Sequence, residues 1–259
     1  MTARAATAPA GRRRKWVKRF GKKLFRGGLL RYLERQSRIP NAPVLDTALF
    51  PWAQDLRSQW PQIRAELDTL LEHRAALPSF QEISPDQYKI SPDADWKTFM
   101  LYGFGKRFDY GCQLCPQTAA ALARVPGLTT AFFSILAPGK HIPRHRGVTK
   151  GLVRSHLGLR VPDQAQRCLM QVDDVDCVWR EGEIFFFDDT YPHEVWNDTN
   201  QSRAVLLFDF ERPMGRGGRA VSRLMMMALK RTAYYRDATR NQRDWERRYR
   251  AYLESRPTG

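Results

Sequence analysis

The sequence predicts a mainly β fold with flanking helices, whose core is an antiparallel sandwich or jelly roll. Three observations lead to this expectation. Segments rich in β-branched and aromatic residues follow one another from residue 128 to residue 213, separated by turn residues. No helical pattern lies between them, which argues against a parallel sheet with crossover helices. Helical periodicity occurs instead on both sides of this stretch.

The part of the chain before these strands is expected to be helical and irregular. Apolar residues at helical spacing predict a helix over 51–76, whereas the polar, Pro-containing stretch 77–98 is expected to form a loop. A second helix is predicted within 115–127, beginning near Pro116 and ending before Pro126.

Six strands are predicted in the core, followed by basic helices over 218–254. These elements divide the chain into a basic amphipathic N-terminal extension (1–40), a helical and loop support region (41–127), the strand-rich core (128–213) and basic C-terminal helices (214–259). The six predicted strands are 129–139, 152–162, 167–172, 177–180, 182–190 and 203–213.

The net charge of +16 is concentrated at the two ends. Residues 1–40 hold 13 Lys and Arg against the single acid Glu34, and residues 211–259 hold 13 against five acids. Basic ends on a mildly acidic middle suggest attachment to an anionic surface, either a membrane or a nucleic acid. A nucleic-acid enzyme would more often carry basic groups around its active site, so we expect no nucleic-acid partner.

Residues 13–37 have the pattern of a helix at a membrane surface. Trp16, Phe20 and Leu24 recur every four residues, with Lys and Arg between them. A helix packed on the body with a solvated basic face is the alternative. No run of 18 apolar residues and no secretory signal pattern occurs, and four cysteines are too few for a disulfide framework. We therefore expect a cytoplasmic protein, peripheral on the inner face of the membrane.

The histidines suggest a metal site. Four of the five lie within the strand-rich region, and His145 and His193 each lie next to a predicted strand. A two-histidine site with open positions is typical of non-haem iron(II) oxygenases, whereas zinc would require four ligands. The usual third ligand, a carboxylate two residues after the first histidine, is replaced here by Gly147.

Three ordered motifs carry a family resemblance. HRGVTKGLVRSHLGLRVP (145–162), WREGEIFFFDDTYPHEVWND (179–198) and RAVLLFDFERP (203–213) resemble the aspartyl/asparaginyl β-hydroxylase family. That family includes animal peptidyl-aspartate hydroxylases and bacterial hydroxylases of lipid A and related acyl chains. The resemblance implies a double-stranded β-helix core (a cupin-like jelly roll), iron(II) as the metal, 2-oxoglutarate as co-substrate and O2. Part of the family also has glycine where Gly147 stands.

The resemblance also implies roles for individual residues. His145 and His193 match the iron ligands, and Asp188 or Asp189, with Asp189 preferred, could orient a metal-bound water in place of the missing carboxylate. The alternative for both aspartates is a polar position at the end of a strand. The residues that match positions holding the 2-oxoglutarate carboxylates are Ser134, Arg154, His156 and Arg203.

Elementary chemistry agrees with two of these assignments. A guanidinium at Arg203 is suited to clamp the far carboxylate of a dicarboxylate, and Arg154 and His156 are two apart, so they share one face of a strand. Cys112 and Cys115 have ligand-like spacing but make only half a zinc site, so structural thiols are expected. The adjacent residues 225–227, all Met, are expected to serve packing.

The substrate is the least determined feature. The basic amphipathic ends favour a membrane-lipid acyl chain, and the alternative within the enzyme class is the side chain of Asp or Asn in a peptide. A cupin-like binding module with basic tails for nucleic acid is the alternative from another class. It is disfavoured because six separate positions agree with one oxygenase site.

Overall fold

Two antiparallel sheets form the core of the computed structural model, which describes residues 27–255. Their inner residues belong to one hydrophobic cluster, so the sheets enclose a common core. The strands are β1 (Val44–Leu45), β2 (Trp96–Gly103), β3 (Lys106–Arg107), β4 (Leu128–Leu136), β5 (His141–His145), β6 (Leu152–Arg160), β7 (Cys168–Val172), β8 (Val175–Val178), β9 (Ile184–Phe187), β10 (His193–Asn197) and β11 (Arg203–Glu211).

The larger sheet has seven strands in the order β1-β9-β6-β11-β4-β2-β3, and the smaller has four in the order β5-β10-β7-β8. From β4 to β11 the chain alternates between the two sheets, except that β7 and β8 form a hairpin in the smaller one, and this arrangement of a jelly roll confirms the predicted fold class. β11 lies at the centre of the larger sheet between β4 and β6, and nearly all of its residues are buried. Its side chains therefore line the interior on one face and pack against the flanking helices on the other.

Helices precede and follow the sheets. None of those within 27–255 combines the length and the hydropathy that crossing a membrane requires. The predicted helix over 13–37 lies mostly outside the described residues. The helices are α1 (27–36), α2 (Ala53–Ser58), α3 (Trp60–Leu71), α4 (Phe80–Ile83), α5 (Asp109–Leu114), α6 (Pro116–Leu122), α7 (Arg216–Lys230) and α8 (Ala233–Glu254).

The six predicted strands are all present. The helices predicted over 51–76, 115–127 and 218–254 are also confirmed, and the segment 51–76 contains α2, α3 and a short 3-10 turn. The prediction of a loop over 77–98 is wrong at both ends of that segment, because it contains α4 and the start of β2. β2 pairs along β4, so the larger sheet also takes strands from before residue 128. β5 and β10 were not predicted either, and these two strands carry the candidate metal ligands.

The cysteines are placed as the sequence suggested. All four are free and buried, and burial raises the pKa of the Cys115 and Cys112 thiols, which keeps them protonated. They pack in the core and form no cluster that resembles a metal site.

A buried ionic cluster holds the end of β9. The carboxylate of Asp188 lies 2.7 Å from Nη1 of Arg212 and 2.9 Å from Nζ of Lys150, and all three side chains are almost completely buried. The same carboxylate accepts hydrogen bonds from the hydroxyl and the backbone N–H of Thr190. Since buried charges are tolerated only when they are paired, these contacts fix the backbone at Asp188.

The cluster also ties the segment after α1 to the sheets. The guanidinium of Arg212 donates to the hydroxyl of Ser37 at 2.9 Å and to the backbone carbonyl of Pro40 at 2.6 Å. The backbone N–H of Asp188 donates to the carbonyl of Pro43. The turn that leads from β9 to β10 is thereby held from two sides.

Replacing Asp188 with Asn is expected to lower the free energy of unfolding by about 3–5 kcal/mol, because two buried cations lose the carboxylate that they share. Urea denaturation of the purified protein measures this change. The control is Glu183→Gln, which removes only exposed ion pairs, such as the one with Arg180 whose side chains are 73% and 48% exposed, and should cost less than about 1 kcal/mol. Equal effects of the two changes would contradict the structural role of the cluster.

Candidate active site

The two candidate metal ligands lie opposite each other on neighbouring strands. β5 and β10 pair antiparallel, with His145 directly across from His193. The centroids of the two imidazole rings are 4.1 Å apart. His193 is buried and His145 is half-buried. The pairing brings together two residues that are far apart in sequence.

Backbone carbonyls orient both rings. Nδ1 of His145 lies 2.8 Å from the carbonyl oxygen of Pro143, and Nδ1 of His193 lies 3.0 Å from that of Tyr191. Because a carbonyl oxygen can only accept, each Nδ1 carries the proton and donates it. Each Nε2 is left with a free lone pair, which is the tautomer required of a metal ligand.

Burial keeps both imidazoles neutral. It lowers the pKa of His193 to about 3, with a further contribution from neighbouring His145, and it also lowers the pKa of His145. A neutral imidazole is the form that binds a metal ion. The described part of the chain contains no group of three or more His, Cys, Asp or Glu side chains arranged for a metal, so these two histidines stand as a pair.

Gly147 lies against Asp189. Its backbone N–H donates to the carbonyl of Asp189 at 2.6 Å, and a Cβ added to Gly147 would overlap the Asp189 carboxylate. The φ of Gly147 is not positive, so space and not backbone conformation selects glycine here. The carboxylate near this position therefore comes from residue 189, next to the ionic cluster at Asp188, and not from residue 147.

Arg154 joins two carboxylates beside the histidines. Its Nε and Nη2 donate to Asp209 at 2.8 and 2.9 Å, and its Nη1 lies 3.4 Å from Asp189. Burial raises the pKa of Asp189 to about 6. The positive charge of Arg154 acts to lower this pKa, and the negative charges of Asp209 and Asp188 act to raise it. Two of the three Arg154 nitrogens are thus taken by Asp209, which the sequence motifs did not single out. A role for Arg154 in binding co-substrate stays a prediction.

Arg203 is a buried cation without an anion. Its side chain is 1% exposed, and no carboxylate of the described residues lies within ion-pair distance. Nη1 donates weakly to the carbonyl and hydroxyl of Ser134 at 3.3 and 3.4 Å, and Nε has no partner. Burial lowers the pKa of Arg203 to about 10. An unpaired buried charge is strongly unfavourable, so this position is suited to a ligand that supplies an anion.

His156 points a second unpaired donor into the same region. Its Nδ1 accepts a hydrogen bond from Nε1 of Trp179 at 3.2 Å, so its proton is on Nε2, which is buried without a partner. Burial, followed by Arg203, lowers the pKa of His156 well below its usual value, which keeps the ring neutral. The buried Nε2 of His156 and Nε of Arg203 are thus two donors without acceptors among the described residues.

Trp179 holds the two donors in place, a role that its position in the motif did not predict. The Arg203 guanidinium lies 4.5 Å from the centroid of the Trp179 ring, and the His156 ring stacks on the same indole. Trp96 acts similarly on Ser134, to whose hydroxyl it donates at 2.9 Å. Both tryptophans are buried in the core, where an aromatic residue is ordinarily taken as packing, so no sequence signal separates them from other core aromatics.

Comparison with known proteins gives consistent results. The sequence profile of the family described as aspartyl/asparaginyl β-hydroxylase matches residues 57–213. An ornithine lipid ester-linked acyl 2-hydroxylase from Rhizobium tropici is 43% identical over 85% of this chain and 79% of that protein. Human aspartyl/asparaginyl β-hydroxylase is 28% identical over 65% of this chain but only 22% of its own length.

A structural likeness was also found. The crystal structure of a prolyl 4-hydroxylase from Pseudomonas putida aligns over 60% of this chain and 88% of that chain, with 20% identity and a TM-score of 0.36.

Replacing Gly147 with Ala is expected to lower the free energy of unfolding by about 1–3 kcal/mol, because the new methyl group must displace the Asp189 carboxylate. In an Asp189→Ala background the same change should cost much less, since the space is then open. A double-mutant cycle measured by urea denaturation gives the coupling between the two positions. Additive effects would show that Asp189 does not occupy the space beside Gly147.

Proposed function

Since the chain belongs to the aspartyl/asparaginyl β-hydroxylase family and is a hydroxylase of the dioxygenase type, we propose that it hydroxylates the acyl chain of a membrane lipid with iron(II) and 2-oxoglutarate. The geometric observation that carries the reaction type is the buried, unpaired Arg203 beside a pair of histidines with free Nε2 atoms. The family makes the cupin-like nucleic-acid-binding module the weaker interpretation.

The residues fit the groups that this reaction needs. His145 and His193 would hold iron(II) through Nε2, as two neutral imidazoles that leave further positions open for co-substrate, oxygen and water. Bound iron and 2-oxoglutarate supply the oxidising power, with oxygen as the oxidant and succinate and carbon dioxide as co-products. The protein contributes the orientation of its ligands and the exclusion of water.

Arg203, His156 and Ser134 would bind the far carboxylate of 2-oxoglutarate. The orphaned Nε of Arg203 and the orphaned Nε2–H of His156 are donors that find no acceptor within residues 27–255, and a bound carboxylate would satisfy both. A dicarboxylate anchored there extends toward the histidine pair. Arg154, predicted to bind the same co-substrate, would act from the other side through Nη1, its one nitrogen that is not bonded to Asp209.

Asp189 would replace the missing carboxylate indirectly. It is held by Arg154 and by its neighbours in the turn, and its backbone carbonyl accepts from Gly147. We propose that it accepts a hydrogen bond from water at the metal instead of binding the metal itself.

The lipid substrate is supported by the similarity to the Rhizobium tropici acyl 2-hydroxylase, which extends over most of both chains. The peptide alternative is supported by the human relative, at lower identity and over a fifth of that protein's length. Lys and Arg dominate both ends of the chain, which favours action at an anionic membrane surface, although residues 1–26 lie outside the described range.

Replacing Arg203 with Ala is expected to raise the 2-oxoglutarate concentration needed for half-maximal turnover more than tenfold, because a buried charged contact contributes roughly 2–5 kcal/mol. Arg203→Lys should restore only part of this loss, since an ammonium cannot form the two parallel bonds of a guanidinium. Succinate formation at varied 2-oxoglutarate measures both. Arg160→Ala, at an exposed position, is the control and should leave the requirement unchanged. An unchanged requirement in Arg203→Ala would contradict the assigned role.

The substrate is tested by mass spectrometry of reactions containing iron(II), 2-oxoglutarate and either ornithine lipids or Asp-containing peptides. We expect the lipid acyl chain to gain the mass of one oxygen atom, with one succinate formed for each hydroxyl group. His145→Ala should abolish the gain, whereas His141→Ala, at an exposed position paired with Glu194, should retain it. Hydroxylated peptide with unmodified lipid would establish the alternative.

A further inference from the structure

A cavity of about 390 Å³ opens between α1, α7 and the loop from β5 to β6. This volume is within the range of small-molecule sites, about 300–1,000 Å³. Apolar side chains make up most of its wall, and they are Leu29, Val148, Leu152, Met225, Met226 and Leu229.

The wall that α7 contributes is a mostly apolar, half-buried stripe. Ser222, Met225, Met226 and Leu229 follow the spacing of one helix face and all line the cavity. Of α7, only Gly218 is fully buried. The expectation that the three adjacent methionines serve packing is wrong for Met227, which is 53% exposed. Methionine side chains adapt readily to a flexible apolar ligand.

The register of the larger sheet connects this cavity to the candidate active site. Leu152, Arg154 and His156 alternate along β6, so they share one face of the sheet. Leu152 lies across from Glu211, and Arg154 lies across from Asp209. The cavity therefore begins one side-chain step beyond Arg154, toward the end of β11 that is opposite Arg203.

The surface around the cavity combines apolar exposure with positive charge. Val148, which lines the cavity, is 65% exposed, and Leu224 and Met227 of α7, which do not line it, are 63% and 53% exposed. α7 contains no Asp or Glu and carries basic residues at both ends, from Arg216 to Lys230. Exposed apolar side chains among basic residues are typical of a helix at an anionic lipid interface. They are not typical of a helix face that contacts only water.

We propose that this cavity binds the acyl chain of the lipid, which enters from the membrane surface past Val148. The inference rests on the proposed lipid substrate and adds the location of its chain. The cavity lies on the same sheet face as Arg154 and reaches the loop that contains Gly147, so a chain seated in it points toward the histidine pair.

The test is photolabelling of the full chain with a palmitate analogue that carries a diazirine near its terminal carbon, followed by peptide mapping. We expect crosslinks on α7 and on β6 around Leu152, suppressed by unlabelled palmitate. Met226→Trp fills the cavity and should reduce this labelling about tenfold. Excluding two CH2 groups of the palmitate analogue from the cavity is enough to weaken its binding by about that factor. Met227→Trp places the same side chain outside the cavity and should leave the labelling unchanged.

The proposal would be overturned if Met226→Trp and Met227→Trp changed the labelling equally. It would also be overturned if no crosslinks formed on the cavity wall, which is the result expected if another part of the chain fills the cavity. If Met226→Trp does not fold like the parent by circular dichroism, Leu229→Trp provides the same test from the next turn. The labelling requires no turnover. Cavity labelling without any lipid hydroxylation would therefore overturn the proposed function and leave the binding site standing.

Discussion

The antiparallel pairing of β5 with β10 is the constraint on which the candidate site depends. It sets His145 directly across from His193 and brings the two rings to a centroid distance of 4.1 Å. Each ring is then turned by a carbonyl two residues earlier in the chain, so both Nε2 atoms are free. A shift in the pairing by one residue would turn one histidine to the other face of the sheet, and the site would be lost.

Two buried arginines, Arg203 and Arg212, and the half-buried Arg154 divide the charges around this pair into structural and ligand-binding sets. Arg212 is neutralised by Asp188 within the cluster that holds the turn between β9 and β10, and Arg154 is neutralised by Asp209. Arg203 alone of the three has no carboxylate partner among the described residues, and an orphaned donor of His156 lies in the same pocket. Burying a charged side chain without a partner is costly. The unpaired Arg203 therefore identifies where a dicarboxylate would supply the compensating negative charge.

Most elements with clear patterning could be predicted from the sequence, including the short strands β8 and β9, whereas polar or proline-containing strands could not. β4, β6, β11, α7 and α8 have clear periodicity, whereas β5 (HIPRH) contains a proline and β10 (HEVWN) is brief and polar. The fit of Asp189 beside Gly147 and the support of Arg203 by Trp179 arise from tertiary contacts between distant segments, which periodicity does not encode. The motif resemblance named the histidines and arginines, but only the structure separates the paired Arg154 from the unpaired Arg203.

The most direct measurement is anomalous diffraction at the iron absorption edge from crystals grown without oxygen in the presence of iron(II) and 2-oxoglutarate. The account predicts one strong peak bonded to Nε2 of His145 and Nε2 of His193, with the far carboxylate of 2-oxoglutarate against Arg203 and His156. Iron held by other side chains, or 2-oxoglutarate that leaves the Arg203 pocket empty, would contradict it.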